Sequence, residues 1–303
     1  MKPRRELLQL LTTFAALTSP ATATIVGGTS GTGNNNNTEA GLVTHLSSTP
    51  LSPFPYWNNL VRVADASGVY LGYNASTMRG WVLSANHVTT PANITVDGIS
   101  YSVTAGSQIG TSDLKLYEIN GTPNLAAVSS ASSAAIVTES SLMFGRGFTN
   151  DTTAPFDWET PGTNDANGTR WATNTVENIQ LVDIDSGPGL NLQPYIMVDF
   201  DGPGDIGVTA YDGQAALGDS GGGLFIHRGG AWELAGITHF VSSPDQIANP
   251  SNFGDSSAYS DVFAKQTSIQ GITGTLIPEP AVSLLLPATA LLLMRRKRSG
   301  SRE

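Results

Sequence analysis

Ser220 lies among glycines in a pattern that suits a nucleophile. The stretch Gly218–Gly222 reads GDSGG, with Asp219 directly before the serine. Glycines leave room for a substrate chain, and a tight glycine-rich turn presents backbone N–H groups that can hold a developing oxyanion. A serine in such a loop is also common in plain turns. The choice between these two interpretations depends on whether the chain also carries a base and an orienting acid.

His87 and Asp113 are the candidate base and acid. His87 follows the apolar stretch WVLSAN, and Asp113 begins the alternating stretch DLKLYEI. A serine hydroxyl needs a base that titrates near neutral pH, which is histidine, and a carboxylate on the far ring nitrogen holds the required tautomer. Asp97 also lies between His87 and Ser220, but its Asp-Gly pair predicts a hairpin turn instead. The three segments together therefore indicate acyl-transfer chemistry.

These stretches resemble the motifs of the chymotrypsin-like serine peptidases. SANH resembles that family's Ala-Ala-His motif, DLKL its aspartate motif, and all five residues of GDSGG match, in the order His, Asp, Ser. The resemblance covers about residues 53–272. It implies that His87 is the general base, Asp113 its orienting partner and Ser220 the nucleophile, with the N–H groups of Gly218 and Ser220 as the oxyanion hole. It further implies peptide-bond hydrolysis through an acyl-enzyme, in the cleft between two Greek-key β-barrels.

Two features depart from that family's pattern. The chain has no cysteine, so the disulfide usual beside the histidine is missing, and only 26 residues separate His87 from Asp113, which predicts short loops.

Ile25–Gly28 reads IVGG, which in many family members becomes a free terminus paired with the aspartate before the serine. Signal cleavage would leave Thr24 in front of it. Either this terminus or another group must pair with Asp219, because an unpaired buried carboxylate is costly.

The resemblance also suggests three substrate-binding residues. Gln214 lies six residues before the serine, at the position of the pocket floor, and brings no carboxylate for a lysine or arginine side chain. The segment His239–Val241 resembles the strand that lines the cleft, where His239 would line the cleft and Val241 would narrow the pocket. We therefore expect uncharged, small or medium side chains before the cut. Outside this role, His45, His227 and His239 are interpreted as structural or surface residues.

The composition favours an all-β fold. Charged residues make up 13% of the chain, and short apolar runs alternate with Gly, Asn, Asp and Pro, which predicts many short strands. With this strand pattern, the family resemblance implies two barrels, over about 53–130 and 134–272. The net charge is −10, and eight of the 15 Lys and Arg lie in the first five and last nine residues. The middle of the chain therefore lacks the basic cluster that nucleic-acid binding requires.

No cofactor and no metal is expected. No two histidines lie at metal-ligand spacing on one predicted element. Asp199, Asp201 and Asp205 could offer oxygen ligands to calcium. Their spacing is not that of a helix–loop–helix calcium site, so solvated turns are the preferred interpretation.

The two ends of the chain are interpreted as targeting segments. Residues 1–23 combine Lys2, Arg4 and Arg5 with an apolar core and a small-residue cleavage site, which predicts a signal peptide. A flexible leader is expected over 24–52. Residues 277–303 contain PEP, an apolar run and a basic cluster, and resemble PEP-CTERM sorting tails. This predicts an exported or cell-surface protein of a Gram-negative bacterium, an exosortase-type processing partner and transient membrane contact, with a simple membrane anchor as the alternative.

Three functions fit these observations. The first is an exported serine endopeptidase acting on a protein or peptide. The second is a cell-surface or matrix binding protein that keeps the fold without turnover. The third is an esterase that uses the same site.

Overall fold

The computed structural model describes residues 24–27, 38–147, 156–157, 168–184, 190–242 and 250–276. The predicted signal peptide, the asparagine run before residue 38 and the predicted sorting tail lie outside these ranges. Within them, no helix combines the length and apolarity needed to cross a membrane.

The described residues form mainly antiparallel strands. These are β1 Ile25–Val26, β2 Leu60–Val63, β3 Ala66–Asn74, β4 Arg79–Ala85, β5 Asn93–Val96, β6 Ile99–Gln108, β7 Leu114–Ile119, β8 Ser140–Gly145, β9 Phe156–Asp157, β10 Arg170–Thr175, β11 Asn178–Asp183, β12 Leu192–Asp199, β13 Gly213–Gln214, β14 Gly223–Arg228, β15 Ala231–Ser242, β16 Pro250–Ser251 and β17 Ser256–Asp261. The helices are α1 Glu39–Ser47 and α2 Gln266–Thr273, with short 3₁₀ turns at Trp57–Asn59 and Phe263–Lys265.

The first six long strands close into a barrel. Their order is β2-β3-β4-β7-β6-β5, and β5 returns to pair with β2 through Thr95 and Arg62. The β5–β6 connection is the two-residue turn Asp97–Gly98, and both residues have positive φ angles of 48° and 77°. This is the backbone that a two-residue hairpin turn requires. The predicted hairpin is therefore confirmed, and it removes Asp97 as a rival to Asp113.

The second sheet repeats the strand order of the first. Its order is β10-β8-β14-β15-β17-β12-β11, so β8, β10, β12, β14, β15 and β17 occupy the places that β2 to β7 hold in the first barrel. The remaining gap, between β10 and β12, is bridged by Asn174. Its buried amide donates to the carbonyl oxygens of Asp199 and Gly213 at 2.7 and 2.9 Å. The predicted all-β fold with two barrel units is confirmed.

The core joins the two units into one body. A single buried cluster contains Leu83 and Leu116 of the first barrel together with Phe225 and Leu234 of the second sheet. Each such side chain, fully buried, stabilises the fold by about 2 kcal/mol. The strands β4 and β15 contact each other across this boundary, so the loops that follow them lie close together.

The helix α1 corrects the expectation of a flexible leader over 24–52. Thr38 caps it by accepting the N–H of Gly41 at 3.3 Å. Leu42 and Leu46, one turn apart, are buried in the shared core. The Trp171 indole N–H also donates to the Thr38 carbonyl oxygen at 2.9 Å. The prediction was wrong for 39–47 because two leucines in one short helix leave a weak apolar pattern.

Candidate active site

Strand pairing brings His87 and Asp113 together. The last residue of β4, Ala85, pairs with the first residue of β7, Leu114. Asp113 immediately precedes β7, and His87 follows β4 by two residues, so both side chains emerge from the same end of one strand pair. The backbone N–H of His87 donates to Asp113 Oδ1 at 3.0 Å, which fixes the carboxylate against the turn.

His87 contacts Asp113 and Ser220 through opposite nitrogens of its ring. Its Nδ1 lies 2.9 Å from Asp113 Oδ2, and its Nε2 lies 2.8 Å from Ser220 Oγ. Asp113 is buried, whereas the His87 side chain keeps 44% of its surface exposed. A carboxylate only accepts hydrogen bonds, so Nδ1 carries a proton and Nε2 is free to accept the serine hydroxyl proton. The three residues predicted to act together are therefore within hydrogen-bond distance, with His87 between Asp113 and Ser220.

The loop that carries Ser220 depends on its glycines. Gly218 and Gly221 have φ angles of +90° and +86°, which residues with a Cβ rarely adopt. A Cβ on Gly221 would lie 2.1 Å from the Ser67 carbonyl oxygen, and one on Gly222 would lie 2.1 Å from the Phe144 carbonyl oxygen. The loop packs against the backbone of both units so closely that only glycine fits there.

Two backbone N–H groups beside Ser220 are available to bind an anion. Among the described contacts, the N–H groups of Gly218 and Ser220 donate to no protein acceptor. The Gly222 N–H donates to the Asp219 carbonyl oxygen at 2.7 Å. Since that carbonyl shares a peptide plane with the Ser220 N–H, the bond fixes the direction of this N–H. These are the two groups that the sequence assigned to an oxyanion hole.

Asp219 is buried beneath this loop with several partners. Its Oδ2 accepts the Ala216 N–H at 2.9 Å and the Thr24 hydroxyl at 3.2 Å, and its Oδ1 accepts the Gly147 N–H at 2.8 Å. Burial raises the pKa of this carboxyl to about 7, against the lowering effect of these bonds and of Arg170. In the full chain, Thr24 rather than an Ile25 terminus contacts Asp219.

His239 lies beside Asp113 and His87. Its Nε2 is 3.4 Å from Asp113 Oδ2, and its ring lies 5.3 Å from the His87 ring, centroid to centroid. Its Nδ1 makes a short hydrogen bond with the hydroxyl of Tyr195. The interpretation of His239 as a structural or surface residue therefore misses its place beside Asp113, and contact with substrate stays a prediction.

Gln214 and Val241 lie in the second unit. Gln214 is 1% exposed and belongs to β13, which pairs with β1. Val241 is partly buried and packs on the core cluster of the second sheet. Their contact with substrate also stays a prediction.

A cavity of about 830 Å³ lies apart from His87, Asp113 and Ser220. Its lining includes Arg62, Arg146 and Arg170 but none of the three triad residues.

One group of described residues has ligand atoms close enough to hold a metal ion. The nitrogens of His87 and His239 and a carboxylate oxygen of Asp113 lie within 4.8 Å of one another. The His87–Asp113 pair, however, already has the distance of a good hydrogen bond. We therefore interpret the group as a hydrogen-bonded His87–Asp113 pair with His239 3.4 Å from the same carboxylate oxygen.

Among the comparisons with known proteins, only the one with solved structures finds matches. The chain is similar to the Rv3671c protease of M. tuberculosis in its active form, with 12% identity and a TM-score of 0.47 over 73% of this chain and 82% of that chain. It is also similar to mouse neuropsin, a serine protease of the limbic system, with 15% identity and a TM-score of 0.47 over 72% and 96% of the two chains. No protein-family model and no curated protein matches.

Sequence reasoning missed the residues that hold the loop carrying Ser220. Ser67 donates its hydroxyl to the Gly218 carbonyl oxygen at 3.1 Å, and Ser84 donates its hydroxyl to the Ser67 carbonyl oxygen at 2.6 Å. The Thr238 carbonyl oxygen accepts the Gly221 N–H at 2.8 Å. No motif marks these positions, because each acts through backbone groups distant in the sequence. Ser84 alone carried a signal, since it lies three residues before His87 in the quoted stretch.

Proposed function

We propose that this chain is a serine endopeptidase that cleaves peptide bonds through an acyl-enzyme on Ser220. One observation carries the proposal: His87 contacts Ser220 and Asp113 at 2.8 and 2.9 Å through opposite ring nitrogens. A plain turn serine has no need of a base held in one tautomer. This arrangement is instead the one that activates a hydroxyl for attack on a carbonyl group.

The first half of the reaction forms the acyl-enzyme. Ser220 Oγ attacks the scissile carbonyl carbon while its proton passes to His87 Nε2. The carbonyl oxygen becomes negative and accepts the N–H groups of Gly218 and Ser220. Asp113 stabilises the positive charge on the ring. The tetrahedral intermediate then collapses: the carbon–nitrogen bond breaks, and the His87 proton passes to the departing amine.

The second half repeats these steps with water. His87 takes a proton from a water molecule, whose oxygen attacks the acyl carbon. The ester bond to Ser220 breaks, and the proton returns to Oγ. The proposed reaction needs no cofactor. In enzymes of this chemistry, each oxyanion-hole donor lowers the activation barrier by roughly 3 kcal/mol.

The edge of β15 favours an extended peptide as the substrate. Strand β14 pairs with β15 only as far as Ile237, and the Thr238 backbone bonds to Gly221 and Gly222. From His239 to Ser242, this edge of β15 has no strand partner among the described residues. It begins beside the Ser220 loop, where a peptide could add as a further strand with its carbonyl group at the hydroxyl.

Labelling with a fluorophosphonate tests the proposal. The purified chain should be labelled on Ser220, and Ser220→Ala and His87→Ala should abolish labelling without changing thermal unfolding. Cleavage of casein or unstructured peptides should follow the same pattern. A folded chain that resists the reagent would instead favour the silent binding protein, whereas labelling with turnover of esters alone would favour the esterase.

We further propose export, a role at the cell surface or in the matrix, and processing of the tail by an exosortase-type enzyme. The basic and apolar patterns at the two ends of the sequence support this. Mass spectrometry of the protein from its producing cells would identify both mature termini. Recovery of an intact chain from the cytoplasm would refute export.

A further inference from the structure

His239 occupies an irregular position in its strand. On β15, Thr238 pairs with Tyr259 and Phe240 pairs with Ala258, although these partners are consecutive in β17. His239 is therefore an extra residue, a β-bulge. Bulges turn a side chain away from its regular direction. Here the bulged side chain is the one that reaches Asp113 of the other unit.

Asp113 thus lies between two imidazoles. Its Oδ2 is 2.9 Å from His87 Nδ1 and 3.4 Å from His239 Nε2. Its Oδ1 accepts the His87 backbone N–H. Asp113 is buried, so its orientation is set by these contacts rather than by water.

Tyr195 and Asp113 together determine the tautomer of His239. Because the carboxylate only accepts, the facing Nε2 must carry a proton. Burial lowers the pKa of His239 to about 4, with the nearby His87 adding to this effect and Asp113 opposing it, so the ring is neutral near pH 7. Its Nδ1 is then an acceptor, and the hydroxyl of the buried Tyr195 donates a hydrogen bond to it.

The geometry points to His239 as a positioning residue for the proposed hydrolysis: Tyr195 orients its ring, and its Nε2, 3.4 Å from Asp113 Oδ2, restrains the carboxylate beside His87 through a contact longer than a good hydrogen bond. This inference rests on the proposed function and adds a residue to it. Because the ring is neutral, its Nε2–H faces Asp113 without cancelling the negative charge that stabilises a protonated His87. The titratable groups facing His239 are His87, Asp113 and Tyr195.

Two substitutions at position 239 separate positioning from bulk. His239→Leu removes the donor to Asp113, and the rate constant of fluorophosphonate labelling and kcat should fall roughly 10- to 100-fold, as expected for loss of catalytic alignment, with KM little changed. His239→Gln places an amide N–H near the former Nε2 and should recover most of that loss. Tyr195→Phe frees the other tautomer, in which a lone pair faces the carboxylate, and should lower kcat by an intermediate factor.

A matched control lies on the neighbouring strand. His227 accepts the Ser52 N–H through Nε2 at 3.3 Å and packs edge-on against Trp232. His227→Leu removes a partly buried histidine whose described contacts are with Ser52 and Trp232 rather than Asp113, and it should leave the labelling rate constant unchanged. Equal rates for His239→Leu and His239→Gln would overturn the inference, as would a rise in KM at constant kcat, which would indicate a substrate-lining role.

A second measurement separates this inference from the proposed function. In the Ser220→Ala protein, the proton on His87 Nδ1 should give a proton NMR signal downfield of the amide region. Adding His239→Leu should shift or broaden this signal, and adding His239→Gln should largely restore it. An unchanged signal in both double variants would show that His239 does not position Asp113. This result would hold even if the unsubstituted protein never hydrolyses a peptide.

Discussion

The backbone N–H of Ser67 donates a 2.8 Å hydrogen bond to the carbonyl oxygen of Ser220. Ser67 belongs to β3 of the first barrel, and Ser220 follows β13 of the second unit. Its hydroxyl also donates to the Gly218 carbonyl oxygen and accepts the Arg146 N–H at 3.0 Å. One buried serine of the first barrel therefore sets the orientation of the loop that carries Ser220.

Replacing Ser67 with alanine should both slow acylation and destabilise the fold. The change removes the restraint on Gly218 and leaves the Arg146 N–H without its acceptor, so we expect about 1–3 kcal/mol less stability. The labelling rate constant should fall roughly 10-fold or more because the oxyanion donors lose alignment. Stopped-flow labelling and urea unfolding measure the two effects.

Ser141→Ala is the matched control for this change. Ser141 is also a buried strand serine, and its hydroxyl donates to the Asn174 carbonyl oxygen at 3.1 Å. It should lose similar stability with no change in labelling rate. If both alanine variants label like the unsubstituted protein, Ser67 does not orient the loop.

Replacing Gly221 with alanine should disable the nucleophile loop. The new Cβ would lie 2.1 Å from the Ser67 carbonyl oxygen and 2.2 Å from Ser84 Oγ. Because these atoms cannot yield without moving the first barrel, the loop must shift, and labelling should fall by roughly 100-fold or more. Gly230→Ala is the control: its φ of +87° is almost the same, and nothing lies within 4 Å of its Cβ. It should lose only about 1 kcal/mol of stability through backbone strain, with normal labelling.

Local patterns predicted the elements whose partners are near in sequence. The Asp97–Gly98 turn follows from its two residue types. The strands ending near His87 and beginning after Asp113 follow from apolar alternation. The sequence does not reveal that β4 and β7 pair in a register that places the side chains of His87 and Asp113 at the same end of the strand pair.

The contacts around His239 and α1 depend on tertiary structure. The bulge at His239 is a one-residue difference between two pairing registers, and no residue type marks it. Tyr195 reaches this ring from β12, more than 40 residues earlier in the chain. In α1, Thr38 is a good capping residue, but the helix is stabilised mainly by packing of Leu42 and Leu46.

The buried Asp219 predicts a pH-dependent stability between pH 4 and 7. Its pKa is raised from 3.8 to about 7, so the folded chain keeps this proton where the unfolded chain has lost it. Its contribution is fully present below about pH 4 and is lost as the pH rises through 7, an effect on the order of 4 kcal/mol. In Asp219→Asn, the free energy of unfolding should change less between pH 4 and 7. Equal slopes for the two proteins in urea titrations would contradict the raised pKa.

Gln214 offers a test that links stability to substrate preference. It is 1% exposed, and among the described residues neither its Nε2 nor its Oε1 has a hydrogen-bond partner. Each buried unsatisfied group costs about 1–3 kcal/mol. Gln214→Met keeps the side-chain length and removes both groups, so the free energy of unfolding should rise. Asn59→Leu is the control, because the buried Asn59 amide donates to the carbonyl oxygens of Tyr70 and Ala126, each at 2.9 Å, and its loss should destabilise the fold. If Gln214 instead keeps its amide for a substrate, the methionine variant should also show a lower kcat/KM on peptides with an amide or hydroxyl side chain before the cut, measured across a peptide panel. A Gln214→Met protein that is less stable than the unsubstituted chain would show that its amide is already satisfied.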